Sequence, residues 1–258
     1  MKTGPGRKGE TMKYTFFKGL QTVIMCCLMS SLASAAGLTA QQIVEKADLA
    51  RSPGGSFSFQ VRVSDFQNKK LLADSTYHVS SKGNDLTLVD TVEPARLRGR
   101  KLLMNGNNLW FIVPDVRRPT RVSLQQRLTG EVANGDIARV NFGSDYHARL
   151  LGSEVISGSD SYKLELTART KEVTYSRLWY WVGKKDFLPK KATFFALSGK
   201  PLKNAYYKEF KPALGRSVLS KLVITDELRT DKISQLQYSG FRRRSFDEGF
   251  FNKESVAE

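Results

Sequence analysis

The sequence predicts a mainly β protein in which one antiparallel sheet curls around a few short helices. Two observations lead to this prediction. Apolar and polar residues alternate with a period of two through most of the chain after residue 56. The alternation fails at the front and in one stretch at 122–142. Many strands joined by short turns, with one leading helix and one helical insertion, are typical of such a sheet.

An export signal is predicted at residues 1–35. Two lysines precede a short apolar run at 22–32, and the Ala-Ser-Ala sequence ending at Ala35 has the small-x-small pattern that a signal peptidase recognises. The apolar run is too short to span a bilayer as a stable helix. We therefore expect cleavage near Ala35, with either Met1 or Met12 as the start of translation.

The two cysteines of the chain, Cys26 and Cys27, lie inside the predicted signal. The exported part, a domain at 36–245 followed by a loosely held tail at 246–258, can then form no disulfide. A lipid-modified Cys26 is a less favoured alternative, because a methionine precedes it where a small residue is expected.

The chain is strongly basic, with a formal charge of +16. Removing residues 1–35 leaves 36 basic and 24 acidic residues, a charge of +12. Such a charge suits an anionic membrane surface, nucleic acid or an acidic partner. The basic residues are mostly spread singly along strand-like segments, which favours a solvated basic outer face, and export argues against nucleic acid.

The exported part opens with a predicted helix. Thr39 and Gln42 have the spacing of a capping box. An apolar stripe follows on one face, and Pro53 with two glycines ends the element. The stripe consists of Ala40, Ile43, Val44 and Ala47.

Strands are predicted wherever the alternation continues. The predicted strands run over residues 57–63, 71–80, 86–92, 98–104, 109–113, 148–156, 162–168, 176–182, 190–196, 202–210, 217–225 and 232–238. Between the two halves, 123–128 is predicted to be helical, and 134–136 is predicted to begin another short turn or helix.

No catalytic or metal-binding pattern stands out. His78 and His147 have no ligand-type spacing to another histidine or carboxylate. The sequence contains no His-Glu-x-x-His pair, phosphate-binding loop, dinucleotide-binding turn or Gly-x-Ser-x-Gly motif. We therefore expect no enzymatic activity, no cofactor and no metal.

Two strands are instead apolar on both faces. They lie at 109–113 and 179–182, and the aromatic stretch 193–196 follows them. Strands of this kind are either packed on both sides at the centre of a sheet or line a cavity with one face. The residues alone leave both interpretations open.

Several segments resemble a known family. Residues 106–114, with Leu-Trp-Phe and a closing proline, resemble a hairpin strand of the LolA-like family of periplasmic outer-membrane lipoprotein-sorting proteins. Residues 134–146 resemble a signature segment of that family. Further stretches at 162–166, 181–182, 187–192 and 198–203 are similar to it in the same order.

The resemblance implies an unclosed antiparallel β-barrel, a half-barrel, with a helical lid and an apolar interior for acyl chains. We predict that inward-facing residues bind the lipid and that others belong to the lid or to the signature segment. The predicted lipid-binding residues are Trp110, Ile112, Trp179, Trp181 and Phe194. Phe111 and Tyr180 are also bulky and occupy the opposite faces, so the sequence leaves open which face lines the cavity. The predicted lid or signature residues are Ile43, Asp136, Phe142 and Tyr146, of which Phe142 and Tyr146 either pack the lid or fix a loop.

The function that the resemblance implies is that of a periplasmic, monomeric carrier for the acyl chains of a lipoprotein or a free lipid. Its expected partners are an inner-membrane exporter or an outer-membrane receptor, with transient contact to the membrane surface. The alternative is a non-transporting sensor or interaction module. LolA ties its lid with an arginine before a proline on an early strand. The corresponding stretch here, Ser80-Ser81-Lys82-Gly83, contains no Arg-Pro pair. The resemblance therefore does not choose between a lipoprotein and a free lipid as the cargo.

Overall fold

The structure is a computed structural model that describes residues 1, 4, 37–116, 118–139, 141–247 and 249–257. The described residues from Thr39 onward form one compact unit. Apart from residues 1 and 4, the predicted export signal lies outside the described residues. Its cleavage near Ala35 and the alternative role of Cys26 therefore stay predictions.

Helix α1 spans Ala40–Asp48. The Thr39 side chain accepts from the Gln42 backbone N–H at 3.2 Å, and the Gln42 side chain accepts from the Thr39 N–H at 2.9 Å. This reciprocal pair confirms the predicted capping box. Ile43, Val44 and Ala47 are buried, as the apolar stripe predicts. Among the helices of the described ranges, none combines the length and the hydropathy needed to cross a membrane.

One antiparallel sheet of thirteen strands dominates the compact unit. Its strands are β1 (Ser56–Gln67), β2 (Lys70–Lys82), β3 (Leu86–Glu93), β4 (Lys101–Asn105), β5 (Asn108–Ile112), β6 (Thr120–Val122), β9 (Tyr146–Ile156), β10 (Ser159–Ala168), β11 (Arg177–Gly183), β12 (Pro189–Phe195), β13 (Pro201–Ala213), β14 (Arg216–Asp226) and β15 (Lys232–Arg243). A short 3₁₀ turn, Ala95–Leu97, lies between β3 and β4.

The sheet is an open half-barrel. Its strand order is β6-β5-β4-β3-β2-β1-β15-β14-β13-β12-β11-β10-β9, so the first and last strands pair in the middle. Val61 of β1 stands opposite Tyr77 of β2 on one side and Tyr238 of β15 on the other. β6 and β9 form the two edges and do not pair with each other. The predicted mainly β fold, with an unclosed antiparallel barrel, is confirmed.

Alternation along the strands separates two faces. On β1, Phe57, Phe59 and Val61 are buried in the main apolar cluster, whereas Gln60 and Arg62 are exposed. We call the side that carries Phe57 the inner face, and the opposite side the outer face. The main core lies between the inner face and the elements that cover it.

The covering elements are α1 and the insertion 123–145, which we call together the lid. The insertion contains the hairpin β7 (Arg127–Thr129) and β8 (Val132–Ala133), then α2 (Asn134–Ala138) and α3 (Phe142–Asp145). The prediction that a turn or short helix begins at residue 134 is confirmed. Helix α1 contacts α3 and strands β9 and β11.

The helix predicted at 123–128 is wrong. The Ser123 hydroxyl accepts from the Gln125 backbone N–H at 3.0 Å, and the Gln126 side chain accepts from the Ser123 N–H at 2.9 Å. These local side-chain bonds hold the backbone in a turn, which competes with helix formation. The chain then enters β7 at Arg127. Gly130, with φ of +48°, allows the tight turn that joins β7 to β8.

The structure also differs from the expectation of a loosely held tail at 246–258. Helix α4, Lys253–Ala257, and the residues before it pack on the outer face of β4 and β5. Phe251 and Val256 are 3% and 7% exposed and form a second apolar cluster with Leu103 and Ile112. Phe246 and Phe251, which lie between the charged residues of this segment, provide much of that contact.

Candidate functional site

Four of the five residues predicted to bind lipid lie on the outer face. Ile112 of β5 belongs to the second apolar cluster, and Trp110 packs against that cluster. The Lys253 ammonium lies 4.8 Å from the centroid of the Trp110 ring. Trp179 and Trp181 of β11 also point outward. Phe194 of β12 alone belongs to the main core. The prediction that the other four face inward is therefore wrong.

Polar contacts fix the two tryptophans of β11 on the outer face. The Trp181 indole N–H donates to Glu154 at 2.7 Å. The Lys163 ammonium lies 4.5 Å from the Trp179 ring centroid and 5.4 Å from the Trp181 centroid. Rings that lie on the outer face and contact a cation there are not available to line the apolar inner face.

The inner face is lined by the residues that alternate with the predicted ones. On β5 these are Leu109 and Phe111, and on β11 they are Leu178, Tyr180 and Val182. Both faces of these strands are bulky and apolar, so the sequence contains no signal that sets the phase of the alternation. The pairing with β10 determines which face is the inner one. Tyr180 and Leu178 stand opposite Leu164 and Leu166, which are fully buried.

Phe142 of α3 is the central contact between the lid and the inner face. Its ring makes edge contacts with Tyr146, at 5.5 Å between centroids, and with Tyr180, at 5.3 Å. The Arg51 guanidinium lies 4.1 Å from the Phe142 centroid. Phe142 and Tyr146 thus pack both the lid and the sheet beneath it, while Ile43 of α1 joins the same cluster.

A buried ion pair ties α2 to the sheet. Asp136 accepts from the Lys203 ammonium of β13 at 2.7 Å, and the two side chains are 10% and 9% exposed. The Tyr175 hydroxyl donates to Asp136 at 2.9 Å, and the Ala133 backbone N–H donates to it at 2.8 Å. The Tyr175 ring packs on Phe194 at 4.1 Å. Asp136 is therefore a lid residue with a defined contact, whereas Lys203 had no predicted role.

The β7–β8 hairpin has a second polar contact with the sheet. The Thr129 hydroxyl donates to Asp65 of β1 at 2.6 Å, and the Glu131 backbone N–H donates to the Ser234 hydroxyl of β15 at 2.8 Å. A Cβ at Gly130 would lie 1.8 Å from an Asp65 carboxylate oxygen. Only glycine allows this approach of the turn to β1.

The end of the insertion is held by a second buried ion pair. Arg139 makes two bonds of 2.7 Å to Asp145, and their side chains are 11% and 8% exposed. The same guanidinium donates to the Gly106 carbonyl at 3.3 Å and to the Asn107 side chain at 3.1 Å. Arg139 thus connects the signature segment to the β4–β5 hairpin, another segment that resembles the family.

The two parts of the lid meet at Asp48 and Gly143. The Gly143 backbone N–H donates to the Asp48 carboxylate at 2.6 Å, and a Cβ at position 143 would lie 2.9 Å from Glu45 Cγ. Burial raises the pKa of Asp48 to about 6, against the opposing effects of Arg51 and of the backbone bonds. The carboxylate therefore changes charge near neutral pH.

Three buried tyrosines lie beneath the lid. Burial raises the pKa of Tyr175 and Tyr180 well above their ordinary range and that of Tyr207 to about 12. Their hydroxyls are neutral at any physiological pH. The inner face is consequently an aromatic and aliphatic surface in which Arg51 and the Asp136–Lys203 pair carry the charges described above.

The space between the lid and the sheet is closed in this conformation. Two cavities beneath the lid measure about 30 and about 20 Å³, and Arg51, Phe59 and Ile137 line both. One water occupies roughly 10–15 Å³ on this measure. These cavities therefore have room for one to three waters each, and an acyl chain does not fit beneath the lid in this conformation.

Within the described ranges, no three His, Cys, Asp or Glu side chains lie close enough together to hold a metal ion. The fold and the site define a lidded half-barrel, a class of protein in which short helices and a hairpin cover an apolar face of the sheet.

Comparison with known proteins specifies this class. The sequence pattern of a family of uncharacterized proteins matches residues 83–258. A crystal structure of a LolA superfamily protein from Nitrosomonas europaea is 42% identical in sequence, with a TM-score of 0.80 over 85% of this chain and 100% of the other. The chain belongs to the LolA superfamily. No curated protein matches the sequence.

Two more distant structures share the fold. A domain from Vibrio parahaemolyticus assigned to outer membrane lipoprotein sorting is 19% identical, with a TM-score of 0.73 over 85% of this chain and 98% of the other. A DUF1329 family protein from Desulfovibrio piger is 20% identical, with a TM-score of 0.73 over 84% and 97%. At these identities the likeness concerns the fold alone.

Proposed function

We propose that the protein is a periplasmic carrier that shields the acyl chains of a lipoprotein or free lipid on its inner face during transfer toward the outer membrane. Membership of the LolA superfamily and the predicted export signal support this proposal. The description of the Vibrio parahaemolyticus relative, lipoprotein sorting, is consistent with it. In this proposal the protein binds and transfers its ligand without catalysis.

The observation that carries the proposal is how the lid is attached. The inner face beneath it is a continuous apolar surface. The attachment itself includes a few polar contacts, Asp136 with Lys203 and Thr129 with Asp65. Hydrogen bonds and ion pairs can be exchanged for water when the lid moves, whereas the apolar surface cannot be left exposed. An acyl chain would cover that surface in place of the lid.

The magnitudes allow this exchange. Breaking a buried ion pair costs about 3–5 kcal/mol if a charge stays buried without its partner. Hydration of the separated charges offsets part of this cost when the lid opens. Burying one methylene group contributes about 0.8 kcal/mol, so a chain of sixteen carbons contributes about 12 kcal/mol. The ligand can therefore offset the opening of the lid. Release then needs an acceptor that binds the ligand better or a partner that stabilises the closed lid.

A disulfide across the lid tests the proposal. Glu45 Cγ lies 2.9 Å from the Cβ position at residue 143. The sulfur of one half-cystine lies roughly 3 Å from the Cβ of the other, so the Glu45→Cys/Gly143→Cys pair has suitable geometry. It would tie α1 to the insertion. Replacing Cys26 and Cys27 by serine leaves the engineered pair as the sole cysteines.

The measurement is the binding of a radiolabelled sixteen-carbon acyl chain to the oxidised and the reduced protein. We expect the reduced protein to take up about one chain and the oxidised protein to take up less than a tenth as much. The single variant Glu45→Cys under the same oxidant is the matched control. Equal uptake by both redox forms would show that the lid does not gate the site, and no uptake by either form would refute the carrier.

The closed interior favours a second candidate, the non-transporting interaction module. Cavities of about 30 and 20 Å³ hold no acyl chain, and a module of this kind would keep them closed. The same uptake experiment separates the two. A module would bind no chain in either redox form, yet would retain a membrane-protein partner in a pull-down.

A further inference from the structure

Arg51 is a charged side chain beneath the lid that the contacts described so far leave unmatched. It follows α1, on the segment that leads into β1. Its guanidinium lies over the ring of Phe142 at 4.1 Å and over that of Tyr207 at 5.6 Å. Its Nη1 atom is buried and has no hydrogen-bond partner within the described part of the chain. A buried donor of this kind is costly unless it is satisfied.

Asp48 is close enough for Arg51 to oppose the rise in its pKa, but its carboxylate makes no direct contact with the guanidinium. Arg51 forms no ion pair with any described carboxylate, although Asp48 precedes it by three residues. The Asp48 carboxylate is bound to the Gly143 N–H of the lid instead. The two aromatic faces offset part of the charge through cation–π attraction. A ring face does not replace an oxygen acceptor for the N–H groups. The Tyr180 hydroxyl lies near the guanidinium and, like Nη1, makes no hydrogen bond within the described part of the chain.

The surroundings of Arg51 are those of an amphiphile site. The two small cavities lie beside it, and Phe59 and Ile137 form apolar walls of both. The larger cavity also reaches Gly83 and Asn84, which are exposed in the β2–β3 turn. A ligand head could therefore reach the guanidinium from the surface, with its chain leading beneath the lid.

We propose that Arg51 binds the anionic head of the acyl ligand, a carboxylate or a phosphate, while the chain lies on the inner face. This inference rests on the proposed acyl-chain binding and specifies its ligand class. The planar guanidinium matches either group with paired N–H donors. The binding site would discriminate a charged single-chain lipid from an uncharged one.

The position of Phe142 couples the head to the lid. Its ring occupies one face of the guanidinium, and the next residue, Gly143, is bonded to Asp48. An anion that enters the plane of Arg51 adds a negative charge close to Asp48 and weakens the contact between α1 and α3. Head binding thus favours the open lid that the chain requires.

The test compares three ligands with the same chain, which are palmitate, monopalmitoyl phosphate and uncharged monopalmitoylglycerol. Binding to the full-length protein is measured by native mass spectrometry and by competition with a radiolabelled chain. We expect at least one of the two anionic ligands to bind about 10- to 100-fold more tightly than the glycerol ester, the range for a hydrogen bond to a charged group. Comparing the two anionic arms separates a carboxylate from a phosphate head.

Variants of Arg51 assign the preference to this side chain. Arg51→Met should remove the preference for anions and retain binding of monopalmitoylglycerol, and Arg51→Lys should retain part of the preference. Arg62→Met, on the exposed outer face, is the matched control and should keep the full preference. If Arg51→Met does not fold, the comparison of the wild type with Arg51→Lys tests the role of Arg51. An anion preference that is as strong in Arg51→Lys as in the wild type would contradict that role.

The outcomes are distinct. Equal binding of all three ligands to the wild type, or an anion preference that persists in Arg51→Met, would overturn the role of Arg51 and leave the carrier intact. Failure of all three ligands to bind would overturn the carrier and, with it, this inference. Binding of inorganic phosphate alone with the same affinity as monopalmitoyl phosphate would reject an acyl ligand at Arg51.

Discussion

Lys203 of β13 and Asp136 of α2 form a buried ion pair, 2.7 Å from nitrogen to oxygen, between the sheet and the lid. They are separated by 67 residues along the chain. The ammonium also donates to the Glu131 carbonyl at 2.7 Å. One lysine thus holds both the β7–β8 turn and the start of α2. In LolA an arginine on an early strand ties the lid, and here Lys203 makes a comparable contact from the other half of the sheet.

Removing Lys203 should loosen the lid. Lys203→Met leaves Asp136 buried with its bonds to Tyr175 and Ala133 but without its counter-charge. We expect a loss of about 3 kcal/mol in the free energy of unfolding, measured by urea denaturation. Lys200→Met, in the exposed turn immediately before β13, should change the free energy of unfolding by less than about 0.5 kcal/mol. Equal effects of the two variants would contradict a buried pair.

The Arg139–Asp145 pair should stabilise the end of the insertion and not the whole sheet. Arg139→Ala removes both bonds to Asp145 and the contacts with Gly106 and Asn107. We expect hydrogen exchange at residues 134–146 to accelerate by at least about tenfold, while exchange in β1 and β15 stays slow. Arg149→Ala, which removes an exposed ion pair on β9, is the control. Uniform acceleration throughout the sheet would show that Arg139 supports the whole fold instead of the lid.

Asp48 should make stability depend on pH. Its pKa rises from the ordinary 3.8 to about 6 on folding. The folded protein therefore holds the proton more tightly than the unfolded chain, and this contribution to stability is lost as pH rises through about 6. Relative to Asp48→Asn, the wild type should lose about 2–3 kcal/mol of unfolding free energy between pH 4 and pH 7.5.

Urea denaturation of both proteins across this pH range measures the difference. Asparagine can still accept from the Gly143 N–H, so the variant keeps the contact between α1 and α3. Carboxylates with lowered pKa values, such as Glu154 and Glu165, contribute equally to both proteins and cancel. A difference that stays constant with pH would mean that Asp48 is not the group that titrates.

The two faces of β5 provide a matched pair of variants. Phe111 lies on the inner face and Trp110 lies opposite it on the outer face. We expect Phe111→Ala to reduce acyl-chain affinity by about tenfold or more, since an aromatic wall of the site is lost. Trp110→Ala should leave that affinity unchanged and loosen the contact with α4. The reverse order would place the ligand on the outer face.

The sequence predicts the secondary structure of this fold well and its site poorly, for physical reasons. The capping box at Thr39 and the alternation of β1 are local patterns, and both are confirmed. At 109–113 and 179–182 both faces are apolar, so the alternation does not show which face is the inner one, and the prediction that Trp179 and Trp181 face inward is wrong. The Asp136–Lys203 pair and the position of Arg51 beneath the lid arise from long-range packing, which leaves no local signal.

The most direct test of the carrier is where a bound chain lies. Palmitate with a photoreactive diazirine on its terminal carbons can be bound, irradiated and located by peptide mass spectrometry. We predict crosslinks to inner-face residues such as Phe111, Tyr180 and Phe194, and their loss in the oxidised Glu45→Cys/Gly143→Cys protein. Crosslinks confined to outer-face residues such as Trp110 and Trp181, or unchanged by the disulfide, would contradict an acyl site beneath the lid.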